Sequence, residues 1–331
     1  PSVMANDQLT WETTDQWNVG VDFGFLKNRI NGTVEFYLQN TKDLLLKRQL
    51  PVVSGFSSVM SNVGSTRNKG IEITLNTRNI MNRNFTWSTD LTFSANKEEI
   101  VELYNGKTDH VGNLWFIGQP IDVYYNYKKI GIWQNTENDL AEMAKFNEKG
   151  ANFKPGSIRL EDVDGDYKIT EEDKQILGSV RPKFVASMVN NFEFKGFDLS
   201  VFLYASVGGL LRNNIEFMEK PGRGNTVIVD YWTPTNPTNA FPRPSVDVEK
   251  LDYISTLGYD KADFLRIRNI TLGYTLPEMW SKKVLMDKIR IYLSANNPAI
   301  FTNFTGIDPE GANGRTAPSY STWMFGINLS M

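Results

Sequence analysis

A run of spaced carboxylates lies near the middle of the chain, and its residue types are suited to binding a metal ion. Asp162, Asp164, Asp166 and Asp173 take positions 1, 3, 5 and 12 of a twelve-residue segment. Loops with this spacing bind Ca²⁺ through oxygen ligands, with a backbone carbonyl at position 7, which here belongs to Lys168. The spacing therefore predicts a structural Ca²⁺ site with Asp162, Asp164, Asp166, Lys168 and Asp173 as its ligands.

Two features separate this segment from the usual EF-hand loop. Position 12 is aspartate rather than glutamate, and Gly165 stands at position 4 while Tyr167 takes position 6. The pattern is closer to the calcium loops of extracellular modules such as dockerins. The alternative is a solvated acidic turn. We favour a bound ion because a hard cation that prefers oxygen ligands would offset the repulsion among four carboxylates.

Residues that could carry out catalysis are scarce. The 331 residues include no cysteine, which excludes a cysteine nucleophile, a thiolate metal site and a disulfide. The single histidine, His110, lies in a loop-like stretch and is expected to be solvated. The carboxylate pairs Glu98–Glu99 and Glu171–Glu172 are adjacent in sequence, so we expect them to be solvated as well. Because no nucleophile elbow or phosphate-binding loop occurs either, we predict that the chain is not an enzyme.

Charge argues against a nucleic-acid partner. The chain has 35 lysines and arginines against 38 aspartates and glutamates, a formal net charge of −3. These charges form no dense basic block, whereas nucleic-acid binding requires a clustered positive surface. We therefore exclude nucleic acid as a partner.

The elements that must position the aspartate segment have the two-residue period of β-strands. Large apolar side chains alternate with small or polar ones in nine segments. These segments lie at 17–25, 30–38, 71–76, 85–94, 184–192, 197–203, 265–274, 289–294 and 323–329. Within 265–274 the apolar positions change parity between Ile267 and Ile270, which predicts a β-bulge.

Short and long connections alternate between these nine candidate strands. The short ones lie near 26–29, 81–84 and 195–196, and a fourth contains Pro277 and a possible helical turn at 278–285. The long polar segments are 40–66, 96–181, 207–260 and 297–320. Transmembrane barrels have tight periplasmic turns and long loops at the cell surface. The fold class is therefore predicted to be all-β, an antiparallel transmembrane β-barrel whose long extracellular loop at 96–182 carries the DxDGD motif.

The number of candidate strands is odd. A complete single-chain bacterial barrel has an even number of strands, with both termini in the periplasm. An open sheet edge in lipid would also leave backbone groups without hydrogen-bond partners. We therefore expect further strands to precede Pro1.

Several short segments occur in an order that is typical of one family. They are LTWETT at 9–14, NVGVDFG at 18–24, TKDLL at 41–45, NVGS at 62–65, NKGIE at 68–72, KGFDLS at 195–200 and LRIRNITLGY at 265–274. In these segments and their order, nearly the whole chain resembles the C-terminal half of the SusC-like (SusC/RagA) TonB-dependent transporters of Bacteroidota.

The resemblance implies a 22-stranded barrel in the full family member, with a plug domain inside it and a SusD-like lipoprotein lid. Residues 1–331 would then be the C-terminal part of the barrel, and the plug domain and 13 N-terminal strands would lie outside them. The implied function is TonB-dependent active import of an oligosaccharide or oligopeptide across the cell outer membrane. The implied partners are the SusD-like surface lipoprotein, TonB through the N-terminal part, the solute and outer-membrane lipid.

Two interpretations remain open at this point. Aromatic residues of the predicted loops could stack on sugar rings or pack against the lid, or they could fill the cores of the loops or the membrane-interface girdle. They are Trp115, Phe116, Tyr124, Tyr125, Tyr127, Trp133, Tyr231 and Trp232. The alternative function is a secreted all-β module that binds carbohydrate with calcium at the Asp162 loop. Such a module would be monomeric without detergent, and the sequence does not identify residues that contact a substrate.

Overall fold

The computed structural model describes residues 3–213, 229–244, 251–311 and 319–331, so parts of the predicted loops 207–260 and 297–320 lie outside the described residues. The described part contains eighteen strands. In chain order they are β1 (Val3–Met4), β2 (Thr13–Phe25), β3 (Ile30–Lys42), β4 (Leu45–Gln49), β5 (Ser58–Asn62), β6 (Ser65–Met81), β7 (Phe85–Glu102), β8 (Val123–Tyr127), β9 (Lys129–Ile132), β10 (Ile158–Leu160), β11 (Lys174–Ser179), β12 (Phe184–Phe194), β13 (Phe197–Val207), β14 (Leu210–Arg212), β15 (Tyr259–Lys261), β16 (Phe264–Thr275), β17 (Lys288–Thr302) and β18 (Thr322–Ser330).

Helical structure is limited to the connections. The α-helices among the described residues are α1 (Glu137–Glu148) and α2 (Glu278–Ser281). Turns of 3₁₀ helix occur at Val52–Ser54, Val111–Asn113, Glu171–Asp173, Ile254–Thr256 and Lys282–Val284. Within the part of the chain that the structure describes, no helix has the length and apolar content needed to cross a membrane.

The nine longest strands form one antiparallel sheet, which confirms the nine predicted strands. Their order across the sheet is β2-β3-β6-β7-β12-β13-β16-β17-β18, so strands that follow one another in the chain lie side by side. The sheet is open in this chain, with β2 and β18 at its two edges. The small sheets β8-β11, β9-β10 and β14-β15 belong to the connections, and the sheet β1-β5-β4 joins the strand that precedes β2 to the connection after β3.

The sheet has an apolar face that is open to its surroundings. Phe36, Ile71 and Ala95 lie opposite one another on β3, β6 and β7, so alternation in each strand places apolar groups on the same side. Trp17 is 74 % exposed and Phe325 is 71 % exposed, whereas a soluble sheet would cover such side chains. This face is suited to contact with lipid, and the other face lines the inside of the barrel wall.

The predicted β-bulge in β16 is confirmed. Ile267 pairs with Leu203 of β13 and Asn269 pairs with Phe202, so Arg268 is left between them without a partner in the ladder. A bulge reverses the side-chain parity on either side of itself. This reversal explains the change in the apolar pattern of the sequence.

The alternation of short and long connections is confirmed, but the long connections are not merely polar loops. Residues of 103–183 pack with residues of 208–263 in two hydrophobic clusters, and we call the described residues of these two ranges the loop subdomain. The first cluster joins Ile132, Ile158 and Leu160 to Trp232, Ile254 and Leu257. The second contains Trp133, Met143, Phe146 and Phe153. The loop subdomain therefore has a packed core of its own.

Candidate metal site and solute cavity

The aspartate segment lies at the surface of the loop subdomain, between β10 and β11. The carboxylates of Asp162, Asp164 and Asp166 each offer an oxygen within 4.8 Å of the others. Among the described residues they are the group of carboxylates close enough together to hold one ion. The structure thus brings together three of the five predicted ligands.

Backbone donors hold these carboxylates in place. Asp162 accepts hydrogen bonds from the amides of Gly165 and Tyr167, both at 2.9 Å. Asp164 accepts one from the Asp166 amide at 3.2 Å, and Asp166 accepts one from the Lys168 amide at 2.7 Å. Short polar side chains commonly stabilise a tight turn in this way.

Asp173, the predicted ligand at position 12, has a different environment. It is fully buried, and its carboxylate accepts hydrogen bonds from the Val163 amide at 2.8 Å and the Thr170 amide at 2.7 Å. The Thr170 contact belongs to a capping box at the 3₁₀ turn Glu171–Asp173. Asp173 therefore closes the segment at its base and lies outside the group of three carboxylates.

Electrostatic repulsion remains within the group. The amide of Asp166 lowers the pKa of Asp164, but desolvation and the negative charges of Asp166 and Asp173 outweigh that hydrogen bond. The net result is that the pKa of Asp164 lies above its usual range. A divalent cation would relieve this repulsion, because opposite charge favours the ionised carboxylate.

The segment is connected directly to both hydrophobic clusters. The ring of Tyr167, which has a left-handed backbone conformation (φ 63°), packs edge-on against Phe146 with centroids 5.4 Å apart. Ile169 packs against both clusters. Order in the aspartate segment is thus coupled to packing in the loop subdomain.

Two predictions about isolated polar residues need correction. Glu98 and Glu99 are not solvated: Glu98 lies 3.1 Å from Arg181 Nε, and Glu99 lies 3.4 Å from Arg67 Nη1. His110 is also engaged, because its Nδ1 accepts the Asn113 amide at 3.1 Å. Neighbours distant in sequence are responsible for the glutamate contacts, and sequence adjacency does not reveal such neighbours. Glu171 and Glu172, by contrast, are exposed as predicted.

The loop aromatics are mostly core residues. Phe116, Trp133 and Trp232 are buried, and the rings of Tyr124, Tyr125 and Tyr127 each contact another aromatic ring of the loop subdomain or its neighbours. Trp115 lies beside His110. Tyr231, which is 45 % exposed, is the exposed member of the predicted set. The interpretation that these residues fill the cores of the loops is therefore the better one for most of them.

A cavity of about 1040 Å³ separates the loop subdomain from the barrel wall. Tyr37, Gly70 and Asn96 lie on its wall side, opposite one another on β3, β6 and β7, and their sequence neighbours Phe36, Ile71 and Ala95 also border the cavity. The Tyr37 ring covers Gly70 so closely that a Cβ there would lie 2.5 Å from the tyrosine hydroxyl oxygen. Sequence reasoning missed these residues, although their parity, opposite to that of Phe36 and Ile71, marks them as inward-facing.

A second cavity of about 590 Å³ lies within the loop subdomain, and Lys129 lines it. The Lys129 ammonium group donates to the carbonyl oxygens of Asn239 and Ala240, both at 2.7 Å, and burial lowers the pKa of this lysine. This contact ties the first half of the subdomain to the second. Both cavities are therefore bordered by residues that close contacts hold in place, Tyr37 at the first and Lys129 at the second.

Comparison with known protein families shows which family this chain matches. Residues 2–323 match the family model described as TonB dependent receptor-like, beta-barrel. The chain belongs to this family. TonB-dependent receptor β-barrels of this type are outer-membrane proteins, so the chain is assigned to the outer membrane and the secreted-module alternative is wrong.

Individual relatives of this TonB-dependent receptor barrel support the same family assignment. TonB-dependent receptor P3 of Formosa agariphila is 32 % identical over 98 % of this chain, and TonB-dependent receptor SusC of Bacteroides thetaiotaomicron is 30 % identical over 98 % of it. The chain spans about a third of the length of these relatives, 35 % and 32 % respectively. The resemblance to SusC-like proteins is therefore confirmed.

Solved structures of the family share the fold. The RagAB peptide importer in the open-open state superposes with a TM-score of 0.79 at 26 % identity, covering 100 % of this chain and 36 % of that chain. A structure of the RagAB peptide transporter gives a TM-score of 0.78 at 25 % identity, covering 98 % of this chain and 36 % of that chain.

Proposed function

We propose that this chain supplies wall strands and surface loops to a transporter that imports an oligosaccharide or an oligopeptide across the outer membrane. TonB energises the uptake, and a SusD-like lipoprotein covers the extracellular opening. The observation that carries the proposal is the cavity of about 1040 Å³ between inward-facing wall residues and a loop subdomain with its own core. Cavities of a few hundred to about 1000 Å³ are typical of sites that enclose a small organic ligand.

The names of the relatives specify one class of solute. RagAB is described as a peptide importer, which favours an oligopeptide. SusC is described as a TonB-dependent receptor, without a named solute. The cavity has apolar, amide and charged groups on its wall, including Ile176, Asn96 and Lys183, so its chemistry suits either class.

A genetic experiment tests the import function. The gene for the full-length protein is deleted in its host, and growth is measured on defined oligosaccharides and oligopeptides as sole nutrient. Restoring the gene is expected to restore growth on one class. The variant Gln119→Trp, which places an indole beside the cavity, should slow that growth, whereas Val53→Trp at a 96 % exposed position should not. If the deletion strain grew as well as the parent strain on all these nutrients, the result would contradict the proposal.

A purification experiment tests the partner. The full-length protein is extracted in mild detergent and its co-purifying proteins and small molecules are identified by mass spectrometry. A surface lipoprotein in stoichiometric amount is expected, together with a bound peptide or sugar. If the protein were recovered without any lipoprotein from cells that import the solute, the result would contradict the proposed lipoprotein lid.

We also propose that the Asp162 segment binds Ca²⁺, with Asp162, Asp164 and Asp166 as carboxylate ligands and the Lys168 carbonyl beside them. The three carboxylates within 4.8 Å support this proposal. Asp173 supports the loop from beneath through its two amide contacts. Because Tyr167 and Ile169 reach both clusters, the ion would stiffen the loop subdomain rather than take part in transport chemistry.

A further inference from the structure

The connection between β16 and β17, residues 276–287, is unlike the other connections at the same end of the sheet. Those connections are short turns at 26–29, 82–84 and 195–196. Residues 276–287 instead contain helix α2 and the 3₁₀ turn Lys282–Val284. An antiparallel pair needs only about two residues to reverse direction, so residues 276–287 are longer than the reversal requires.

The connection is held rigidly to the sheet. The Leu276 amide donates to the Ile289 carbonyl at 2.9 Å, and the Asp287 amide donates to the Ser330 carbonyl at 2.8 Å. The hydroxyl of Ser281, which is fully buried, contacts the carbonyl oxygens of Glu278 and Asp287, each at 3.2 Å. The segment is thus a fixed projection from the end of the wall.

This projection presents large apolar side chains to its surroundings. Met279 is 68 % exposed, Trp280 53 %, Val284 57 % and Leu285 89 %. Two lysines stand among them: Lys282 forms an ion pair with Glu278, and no ion pair is recorded for Lys283 among the described residues. A short segment that combines tryptophan, aliphatic side chains and lysine is typical of the boundary between lipid tails and headgroups.

The apolar surface continues into the lipid-facing side of the sheet. Tyr274, two residues before the connection, packs against Phe197 with ring centroids 4.5 Å apart and ring planes tilted by 38°, and Phe197 is 50 % exposed. At the neighbouring turn Phe194 is 48 % exposed, and the Lys195 ammonium group lies 5.3 Å from its ring centroid. Aromatic rings and lysines therefore follow this end of the sheet as a belt, as they do at membrane interfaces.

We propose that residues 276–287 form an interfacial anchor that inserts into the phospholipid leaflet facing the periplasm. Trp280, Val284 and Leu285 contact the upper part of the acyl chains, and Lys283 contacts the headgroup phosphates. The end of the wall that carries short turns faces the periplasm in transmembrane barrels, which assigns the leaflet. The anchor fixes the height and tilt of the last three strands in the membrane.

The test uses the full-length protein in nanodiscs of phosphatidylethanolamine and phosphatidylglycerol. A nitroxide label is attached to Leu285→Cys, whose side chain is not packed, so the variant should fold. Residues 1–331 contain no other cysteine, and any cysteine elsewhere in the full-length protein is replaced by serine. Matched labels at Val53→Cys, in a surface loop, and Phe325→Cys, on a lipid-facing strand, serve as the aqueous and lipid references. Accessibility to oxygen, which partitions into lipid, is compared with accessibility to a water-soluble nickel chelate.

The label at 285 is expected to resemble the label at 325, with a ratio of oxygen to nickel accessibility several-fold above that at 53. Lys283→Glu should lower this ratio at least twofold through repulsion by phosphate, whereas Lys107→Glu, in a distant loop, should leave it unchanged. A ratio at 285 equal to that at 53 would show that the segment projects into water. Protection from both reagents would show a protein partner instead, and either result overturns the anchor.

Discussion

Arg266 Nη2 lies 2.7 Å from Asp308 Oδ1, and both side chains are almost fully buried. Arg266 lies on β16 in the barrel wall, whereas Asp308 belongs to the connection that follows β17. Asp308 also accepts the Ser319 hydroxyl at 2.8 Å and the Glu310 amide at 3.0 Å. Arg266 and Arg268, on either side of Ile267, both contact Glu310. The ion pair therefore fastens the described part of this loop to the wall.

Replacing Arg266 should destabilise the folded protein. Arg266→Gln leaves Asp308 with a buried charge and without its guanidinium partner, and breaking a buried ion pair typically costs about 3 kcal/mol. Lys42→Ala is the matched control, because Lys42 and Asp15 are exposed and 3.9 Å apart, and such pairs contribute about 0.5 kcal/mol or less. Heat-modified mobility on gels measures the unfolding temperature, and equal temperatures for the two variants would refute the role of Arg266.

The same site should respond to acid. Burial alone would raise the pKa of Asp308, but the Glu310 amide, the Ser319 hydroxyl and amide, and Arg266 together hold it below its usual value. The ionised carboxylate therefore stabilises the loop above about pH 4, and this contribution is lost as the pH falls further through the depressed folded-state pKa. Proteolysis of the loop between pH 6 and pH 3 should show an acid-dependent increase that Asp308→Asn lacks. Identical pH profiles would argue against this assignment.

The bulge in β16 predicts that one residue of this strand can be deleted without unfolding the barrel. Removing Arg268 leaves Leu265, Ile267, Ile270 and Leu272 in uninterrupted alternation, so β16 can pair with β13 without a bulge. On the other side of β16, residues 297–298 of β17 stay outside the ladder, as they do in the intact chain. The deletion removes two contacts of Arg268, the ion pair with Glu310 and the packing of its guanidinium 4.8 Å from the Tyr204 ring centroid, but it leaves the face of every apolar side chain unchanged. Removing Thr271 instead shifts every following side chain to the opposite face. We expect the first deletion to give a folded, heat-modifiable barrel and the second to give little folded protein. Similar yields of folded protein for the two deletions would show that the bulge does not set the register.

The aspartate segment offers two contrasting variants. Asp164→Asn removes an exposed charge whose pKa is raised, so without calcium it should leave the protein as stable as before or slightly more stable, and it should weaken the response to calcium. Asp173→Asn replaces one of the two carboxylate oxygens that accept buried amide hydrogen bonds by an NH2 donor, and it should destabilise the loop subdomain even without calcium, by about 1–3 kcal/mol. Melting curves with calcium and with chelator distinguish the two effects. A wild-type melting temperature that is unchanged on chelation would argue against the metal site.

The loop subdomain should unfold separately from the wall. Trp133 is 1 % exposed, contacts Phe146 and Phe153, and has the Arg159 guanidinium 4.4 Å from its ring centroid. Trp133→Ala should cost about 3–5 kcal/mol and open residues 103–183 to protease. Heat-modified mobility of the barrel should persist, and Tyr231→Ala at an exposed position should cause neither change. Loss of the barrel together with the loops would show one cooperative unit.

The amino-acid sequence by itself determined the wall of this protein. Nine strands, their alternating connections and the β16 bulge follow from side-chain parity, which is a local property because each strand exposes one face to lipid and the other to the interior. The grouping of Asp162, Asp164 and Asp166 could be predicted from the sequence because these carboxylates lie within one turn.

Only the tertiary structure decided the contents of the loops. Ile132 packs with Trp232, Glu98 pairs with Arg181, and Arg266 pairs with Asp308, and each pair joins residues that are distant in sequence. No period marks such contacts, because they form when a connection folds back onto a wall strand or onto another connection. The extension of β7 to Glu102, into the predicted loop, has the same origin, since β6 continues beside it. Local periodicity therefore specified the strands, and long-range packing specified the loop subdomain and the cavity between it and the wall.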